Sequence, residues 1–208
     1  MSTDLRARLI ETFRWYDPGP GSTHLVSDIS GWWRDGRILG EIGPALAGLH
    51  SDAAPTAVVA PEVTGFILGP LVARALGVGF VEAYKDTRDQ RLTDAVAWGR
   101  TAPDYRGRRL SLGVRRARVG PGDRVLLVDD WAATGAQLGA LHEALASVGA
   151  TVLGAAVVVD ARPGPAGTAG SDRATGPASH AVGSDRPTGP GGPPWEVRAL
   201  LRAEELPA

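Results

Sequence analysis

Val125-Leu126-Leu127-Val128-Asp129-Asp130-Trp131-Ala132-Ala133-Thr134-Gly135-Ala136-Gln137 is the stretch that decides the fold. Four aliphatic residues follow Arg124 and stop at two acids, so the strand has no polar face and must be covered on both sides. Ala133, Thr134, Gly135 and Ala136 then form a small-residue loop, and residues 135–148 carry a helical pattern. A strand, a tight loop and a helix in that order present backbone N–H groups at the helix start. Such a cradle suits a phosphate, with Thr134 adding a hydroxyl. Neighbouring side chains on an extended strand point to opposite faces, so Asp129 and Asp130 divide their roles. One faces a ligand's diol while the other turns toward a metal or a basic partner. The arrangement describes a site for a sugar phosphate. An ordinary strand-to-helix turn capped by Thr134 is the competing reading of the same spacing.

Working outward, helix-like and strand-like segments alternate. Residues 4–15 read as a short amphipathic helix, and residues 36–50 as another with Ile38, Ile42, Leu46 and Leu49 on one face. Residues 56–60 form an apolar strand, 65–76 a helix, 78–84 a strand, 151–159 a buried strand and 195–201 a last one. Continuous Val/Leu runs bounded by helices predict an α/β fold, an open and mostly parallel sheet with helices on both faces. Ligands of such sheets sit at the carboxyl ends of the strands, which is where the Asp pair stands. Residues 162–194 break the pattern, with 8 Gly and 7 Pro among 33 residues and Val182 the only large aliphatic. Gly170-Ser171-Asp172-Arg173 recurs as Gly183-Ser184-Asp185-Arg186. Too little apolar area is available there to offset ordering entropy, so a disordered Gly/Pro-rich insertion is expected.

Composition sets the outer limits. With 208 residues and 43% hydrophobic content, one domain with a sizeable core is the expectation for 1–208. The absence of cysteine excludes a disulfide scaffold, thiol catalysis and thiolate zinc sites. No apolar run reaches the ~20 residues of a membrane span, and the N-terminus lacks a signal-peptide core, so a cytoplasmic location and no membrane partner are expected. A net charge of −1 argues against bulk attraction to nucleic acid. The 22 basic residues divide into 21 arginines and one lysine, Lys85, which ends the strand begun at residue 78. Residues 86–118 hold 9 arginines against 4 aspartates, a local +5 in a chain whose remainder carries −6. That charge fits a polyanionic ligand, or a basic loop that is simply solvated.

The motif around Asp129-Asp130 resembles the phosphoribosyl-diphosphate (PRPP) binding motif of the type I phosphoribosyltransferases, a hydrophobic strand, Asp-Asp, two residues and Ala-Thr-Gly. The resemblance is closest to the adenine phosphoribosyltransferase branch and extends over most of residues 5–160. His24-Leu25-Val26-Ser27-Asp28-Ile29-Ser30 is similar to that branch's hood segment, which gives a small N-terminal hood over about residues 1–36. Ala60-Pro61-Glu62-Val63-Thr64-Gly65 is similar to its diphosphate loop, and Pro121-Gly122 to the turn before the motif strand. The resemblance implies transfer of 5-phosphoribosyl from PRPP to a nitrogenous, purine-like acceptor with release of diphosphate. Mg²⁺ is the implied cofactor, held mainly by PRPP, and a homodimer is compatible with it. Carried over residue by residue, Asp129 and Asp130 hold the ribose hydroxyls, and Ala133, Thr134, Gly135, Ala136 and Gln137 bind the 5-phosphate. Lys85 reaches the diphosphate. Glu62, Val63, Thr64 and Gly65 wrap the diphosphate and Mg²⁺, in a turn where unusual backbone geometry is common. Val26, Ser27, Asp28 and Ile29 recognise the base edge. A mobile loop over residues 86–118 closes the site, and Asp104-Tyr105 stands near the place of the branch's catalytic Glu-Tyr pair.

The sequence departs from the family at several of these positions. Thr64 replaces an arginine, which removes a bidentate phosphate contact. Asp104 is one methylene shorter than the glutamate, Ser27 replaces the hood arginine, Trp131 and Ala132 replace aliphatic residues, and Gln137 replaces a small hydroxyl residue. These changes keep two alternatives open, a catalytically weak PRPP- or nucleotide-sensing regulator and a specialised transfer to a non-nucleobase acceptor. Trp32 and Trp33 either stack on a flat heterocycle or pack the hood on the core. His24, His50, His142 and His180 show no ligand spacing, and Tyr84 reads as strand packing.

Overall fold

The computed structural model describes residues 3–20, 25–86, 94–101, 109–163 and 195–207. Helix α1 (Thr3–Thr12), the short strands β1 (Arg14–Tyr16) and β2 (Val26–Asp28), and helix α2 (Ser30–Arg34) come first. Helix α3 (Gly36–Gly48), strand β3 (Ala57–Pro61), helix α4 (Gly65–Leu76) and strand β4 (Gly79–Lys85) follow. Then come β5 (Val96–Arg100), β6 (Ser111–Arg115), β7 (Arg124–Ala132), α5 (Ala136–Ala146), β8 (Thr151–Asp160) and β9 (Val197–Arg202). Strands β1 and β2 pair antiparallel as a separate ribbon, while the main sheet has the order β5-β6-β4-β3-β7-β8-β9. From β4 to β9 every pairing is parallel, and β6 joins β4 and β5 antiparallel.

The doubly apolar strands expected from the sequence have two covers. Along β7, Leu126 and Val128 pack into one cluster with Leu9, Ile42, Leu46 and Leu68 from α1, α3 and α4. Val125 and Leu127 point the other way, into a cluster with Leu138, Leu141 and Leu145 of α5. Period-two alternation thus feeds two cores from one run of aliphatics, which explains why no polar residue interrupts it. Ile38, Ile42 and Leu46 are fully buried on α3 as their spacing predicts, and Leu49 packs partly buried at the same edge.

The stretch 86–118, expected as a loop, contributes β5 and β6 among its described residues. Val96-Ala97 and Leu112-Gly113-Val114 supply enough β-forming and small residues to extend the sheet over α5, with Ala97, Leu112 and Val114 buried. Asp94 receives a two-pronged contact from Arg115, so part of the local positive charge is consumed inside this hairpin. Most of the insertion, residues 164–194, lies outside the described residues, as do Asp104, Tyr105, His24 and His180. Among the described residues no helix is long and apolar enough to cross a membrane.

The hood is seated on an aromatic cluster. Trp32 is fully buried and donates its indole N–H to the Leu9 carbonyl at 2.9 Å. Phe13 lies 6.5 Å from Trp32 and 6.2 Å from Trp131, and Trp15 meets Phe13 edge-on at 4.9 Å. Trp32 is therefore a packing residue, and stacking on a ligand is excluded for it. Trp33 is partly buried against the same cluster, edge-on to Trp32. His50 is likewise a core residue, with Nε2 3.0 Å from the Ala155 carbonyl oxygen and a pKa lowered chiefly by burial. Tyr84 packs edge-on against Phe66 of α4. Truncating Trp32 to Ala should cost about 3–5 kcal/mol of stability, the usual penalty for emptying an aromatic site. Urea unfolding of the variant checks this, and a midpoint equal to wild type would place Trp32 outside the core.

Candidate active site

Three neighbouring parallel strands, β4, β3 and β7, deliver their carboxyl ends to one edge of the sheet. In the ladders Val59 faces Leu127 and Pro61 faces Ala83. Two residues beyond Leu127 stands Asp129, and two beyond Ala83 stands Lys85. Neighbouring strands lie about 4.8 Å apart and Lys85 stands two residues further along than Asp129, so their backbones are about 12 Å apart, with the end of β3 between them. A lysine stem spans much of that gap.

The turn after β3 fills the middle position. The Glu62–Val63 peptide is cis, the unusual backbone geometry expected of this turn. The Glu62 amide donates to the Ala83 carbonyl at 2.9 Å, and its Oε1 accepts the Lys85 backbone N–H at 2.6 Å. Glu62 thereby fastens the turn to the strand that carries Lys85. Gly65 opens α4 where a Cβ would lie 2.8 Å from the Ala60 methyl, so only glycine lets the helix start this close to the strand. Thr64 is the residue before α4 and forms no side-chain cap there, and Val63 is 74% exposed at the crest of the turn.

The two acids divide as their strand position dictates. Strand β7 continues through both of them to Ala132. Asp129 is 5% exposed, whereas Asp130 is half-buried and donates its backbone N–H to Asp129 Oδ1 at 2.9 Å. Burial, followed by the neighbouring Asp130 carboxylate, holds the Asp129 carboxyl well above its ordinary range, while the nearby Lys85 charge pulls in the opposite direction. Ala133, Thr134 and Gly135 then lead into α5. Gly135 has φ +79°, a left-handed conformation that other residues rarely adopt, and it turns the chain sharply into the helix. The Thr134 hydroxyl accepts from the Ala136 N–H at 3.2 Å, and Gln137 lies in the first turn of α5, where N–H groups lack intrahelical acceptors. This end of the helix faces the same edge as Asp129 and Lys85.

Val26, Ser27 and Asp28 form β2, with Ser27 opposite Trp15 of β1. Asp28 is exposed and its pKa is lowered by the Ser30 hydroxyl and then by the Ser30 N–H, which donates to it at 2.9 Å. Its carboxylate thus organises the turn at Ile29 into α2. Trp15 reaches Trp131, just past the acids, at 6.1 Å. The hood and the strand end are therefore joined through indoles, a connection that no local pattern announces.

One cluster beside this edge escaped the sequence reading. Asp160, 4% exposed at the end of β8, accepts from Arg162 through Nε at 2.9 Å and Nη2 at 3.0 Å, and from Arg202 Nη1 at 2.7 Å. Composition places Arg162 at the start of the Gly/Pro-rich insertion, yet its contacts make it part of the fold. The local signal was an acid ending a buried strand with an arginine two residues on.

No group of three or more metal-binding side chains occurs among the described residues. The donor set here is the Asp129 and Asp130 carboxylates at a strand end. That suits a Mg²⁺ ion that arrives with phosphate oxygens and keeps much of its water, since such ions take only one or two protein carboxylates.

Comparison with known proteins matches residues 35–169, more than half of the chain, to the phosphoribosyl transferase domain. An adenine phosphoribosyltransferase from a Nocardioides species is 38% identical over 147 residues, covering 69% of this chain and 76% of the relative. The crystal structure of adenine phosphoribosyltransferase from Rhodothermus marinus superposes with a TM-score of 0.72 at 22% identity, covering 97% of this chain and 99% of that one. The Giardia lamblia enzyme complexed with 9-deazaadenine gives a TM-score of 0.65 at 28% identity, covering 75% and 85%.

The buried acid makes a pH-dependent prediction. A carboxyl whose native pKa lies above its ordinary 3.8 binds its proton more tightly folded than unfolded. Its contribution is full below the unfolded pKa and is lost as pH rises through the native one. Asp129→Asn removes this titration, so the variant should melt higher than wild type near about pH 7, with the gap closing toward about pH 4. Melting curves across that range check it. A variant less stable at neutral pH would contradict the assignment.

Proposed function

The chain belongs to the phosphoribosyl transferase family, in its adenine phosphoribosyltransferase branch, and we propose how its strand-end residues divide the work. It is a phosphoribosyltransferase, moving the 5-phosphoribosyl group of PRPP to a purine-like nitrogen and releasing diphosphate. The relatives described above are named for adenine, which makes adenine the acceptor for this chain in our reading. The observation that carries the assignment of residues is the meeting of Lys85, the 62–65 turn, Asp129-Asp130 and the 133–137 loop at one sheet edge.

In this reading the 5-phosphate rests on the amides of residues 133–137, where the start of α5 supplies partial positive charge. Asp129 and Asp130 take the ribose hydroxyls. Their carboxyl oxygens accept from the two hydroxyls, so a vicinal diol is held in one orientation. Lys85 faces the diphosphate from the end of β4 and favours its departure by meeting charge that grows on the leaving oxygen. The C1–O bond to diphosphate breaks with its electron pair going to the leaving group, and a C1–N bond forms to the base. Mg²⁺, when bound with PRPP, neutralises phosphate charge and fixes the diphosphate's geometry. Residues 26–29 of the hood cover the base and keep water from C1, which matters because the transition state has cationic sugar character.

Diphosphate release, followed with PRPP, Mg²⁺ and a panel of bases, tests the reading. Release that depends on adenine is the expected result. Tight PRPP binding with no release for any acceptor would overturn it and favour a PRPP sensor. Asp130→Ala should abolish PRPP binding, and unaltered affinity would remove the Asp pair from the site. Lys85→Arg should lower turnover on the order of 100-fold, since a planar fork does not reproduce a compact ammonium at the leaving oxygen. An unchanged rate would mean that Lys85 serves elsewhere.

A further inference from the structure

The β7–β8 ladder runs to its very end with Ala132 opposite Asp160, and the Ala161 N–H donates to the Ala132 carbonyl at 2.9 Å. This pairing carries Arg162 alongside residues 133–135, on the opposite side of the loop from Lys85's strand. Its side chain lies over the loop itself, for a Cβ built on Gly135 would stand 3.6 Å from Arg162 Cδ. The guanidinium is fixed from several directions. Asp160 accepts Nε and Nη2, Asp160 Oδ1 also takes the Arg162 backbone N–H at 3.0 Å, and Arg202 Nη2 donates to the Arg162 carbonyl at 2.9 Å.

We propose that Arg162 is a phosphate-binding residue, presenting its guanidinium to the 5-phosphate of the phosphoribosyl donor from beside the 133–137 loop. The inference rests on the phosphoribosyl reading above and assigns a cation to the end of the substrate that Lys85 does not serve. Asp160, kept ionised by its two arginine partners against the cost of burial, divides one negative charge between Arg162 and Arg202, and the further acid nearby, Glu204, pairs with Arg202 at 3.6 Å. Donor arithmetic favours the proposal. A guanidinium offers five N–H groups, and Asp160 uses Nε and one hydrogen of Nη2. Nη1 has no acceptor among the described residues, and the side chain retains 25% exposure. Two donors on one planar edge match two oxygens of a phosphate, the geometry in which arginine binds such groups best. Because Arg202 also holds Asp160, the carboxylate stays paired while Arg162 turns an edge to the ligand. The loop amides are neutral donors. A fixed cation beside them supplies what a dianion lacks when its other neighbours, Asp129 and Asp130, are acids.

Arg162→Gln and Arg162→Lys in the full chain test the proposal, with binding of ribose 5-phosphate and of Mg²⁺-diphosphate measured separately by calorimetry. Losing a charge-assisted contact should weaken ribose 5-phosphate binding by about 10- to 100-fold in Arg162→Gln. Arg162→Lys should recover part of that loss, and diphosphate affinity should stay within about twofold of wild type in both variants. Ribose 5-phosphate affinity equal to wild type in Arg162→Gln would overturn this inference and leave the function standing. Equal loss for both ligands would also overturn it, since Arg162 would then be maintaining the fold. A wild-type protein that binds neither PRPP nor ribose 5-phosphate would remove the phosphoribosyl reading, and this inference with it.

Discussion

Parallel pairing of β3 with β4 on one side and β7 on the other is the constraint from which the site follows. Parallel strands end at the same edge, so residues remote in sequence, Glu62, Lys85 and Asp129, reach one place with no dedicated loop to gather them. β3 and residues 125–128 of β7 are apolar on both faces, and β7 turns acidic only near its carboxyl end. The chemistry sits at that change of character. Val128 lies in one core and Leu127 in the other, and the next residue is the nearly buried acid.

Electrostatics sharpen this picture. A carboxyl as buried as Asp129, beside a second carboxylate, is poorly accommodated in its charged form, and one lysine from β4, two strands away, relieves only part of the conflict. Proteins retain such conflicts where a ligand resolves them. Glu62 adds a restraint by holding the Lys85 backbone, so the turn and the lysine move as a unit. On the far side of the phosphate loop, Asp160 does for Arg162 what Glu62 does for Lys85, an acid fixing the placement of a cation.

Much of this was legible from sequence, for identifiable reasons. The four-residue aliphatic run before Asp129 admits one reading as a buried strand, and the Gly65 helix start and Leu76 end are marked by apolar spacing and by Gly77. The placement of Asp129, Asp130 and Lys85 at one edge follows from fold class plus strand ends. What local pattern could not supply are contacts between distant segments. Trp131 reads from sequence as a departure near the site, and only the contacts with Phe13 and Trp15 show that it seats the hood. Trp32 reads equally as a stacking platform or as core, and only its complete burial decides. Residues 86–118 were dominated by arginine, which masked the short β-forming runs at Val96 and Leu112. Arg162 was hidden by the composition of its C-terminal neighbours, although its partners Asp160 and Arg202 end the strands on either side of that segment.

The most direct test of the central claim is a crystal structure of the protein with PRPP and Mg²⁺ bound. The account predicts one PRPP molecule across the ends of β4, β3 and β7. Its ribose hydroxyls should lie within about 3.2 Å of the Asp129 and Asp130 carboxyl oxygens, its 5-phosphate on the amides of residues 133–137 and its diphosphate beside Lys85. PRPP bound with its ribose turned away from both acids, or held at another edge of the sheet, would contradict it.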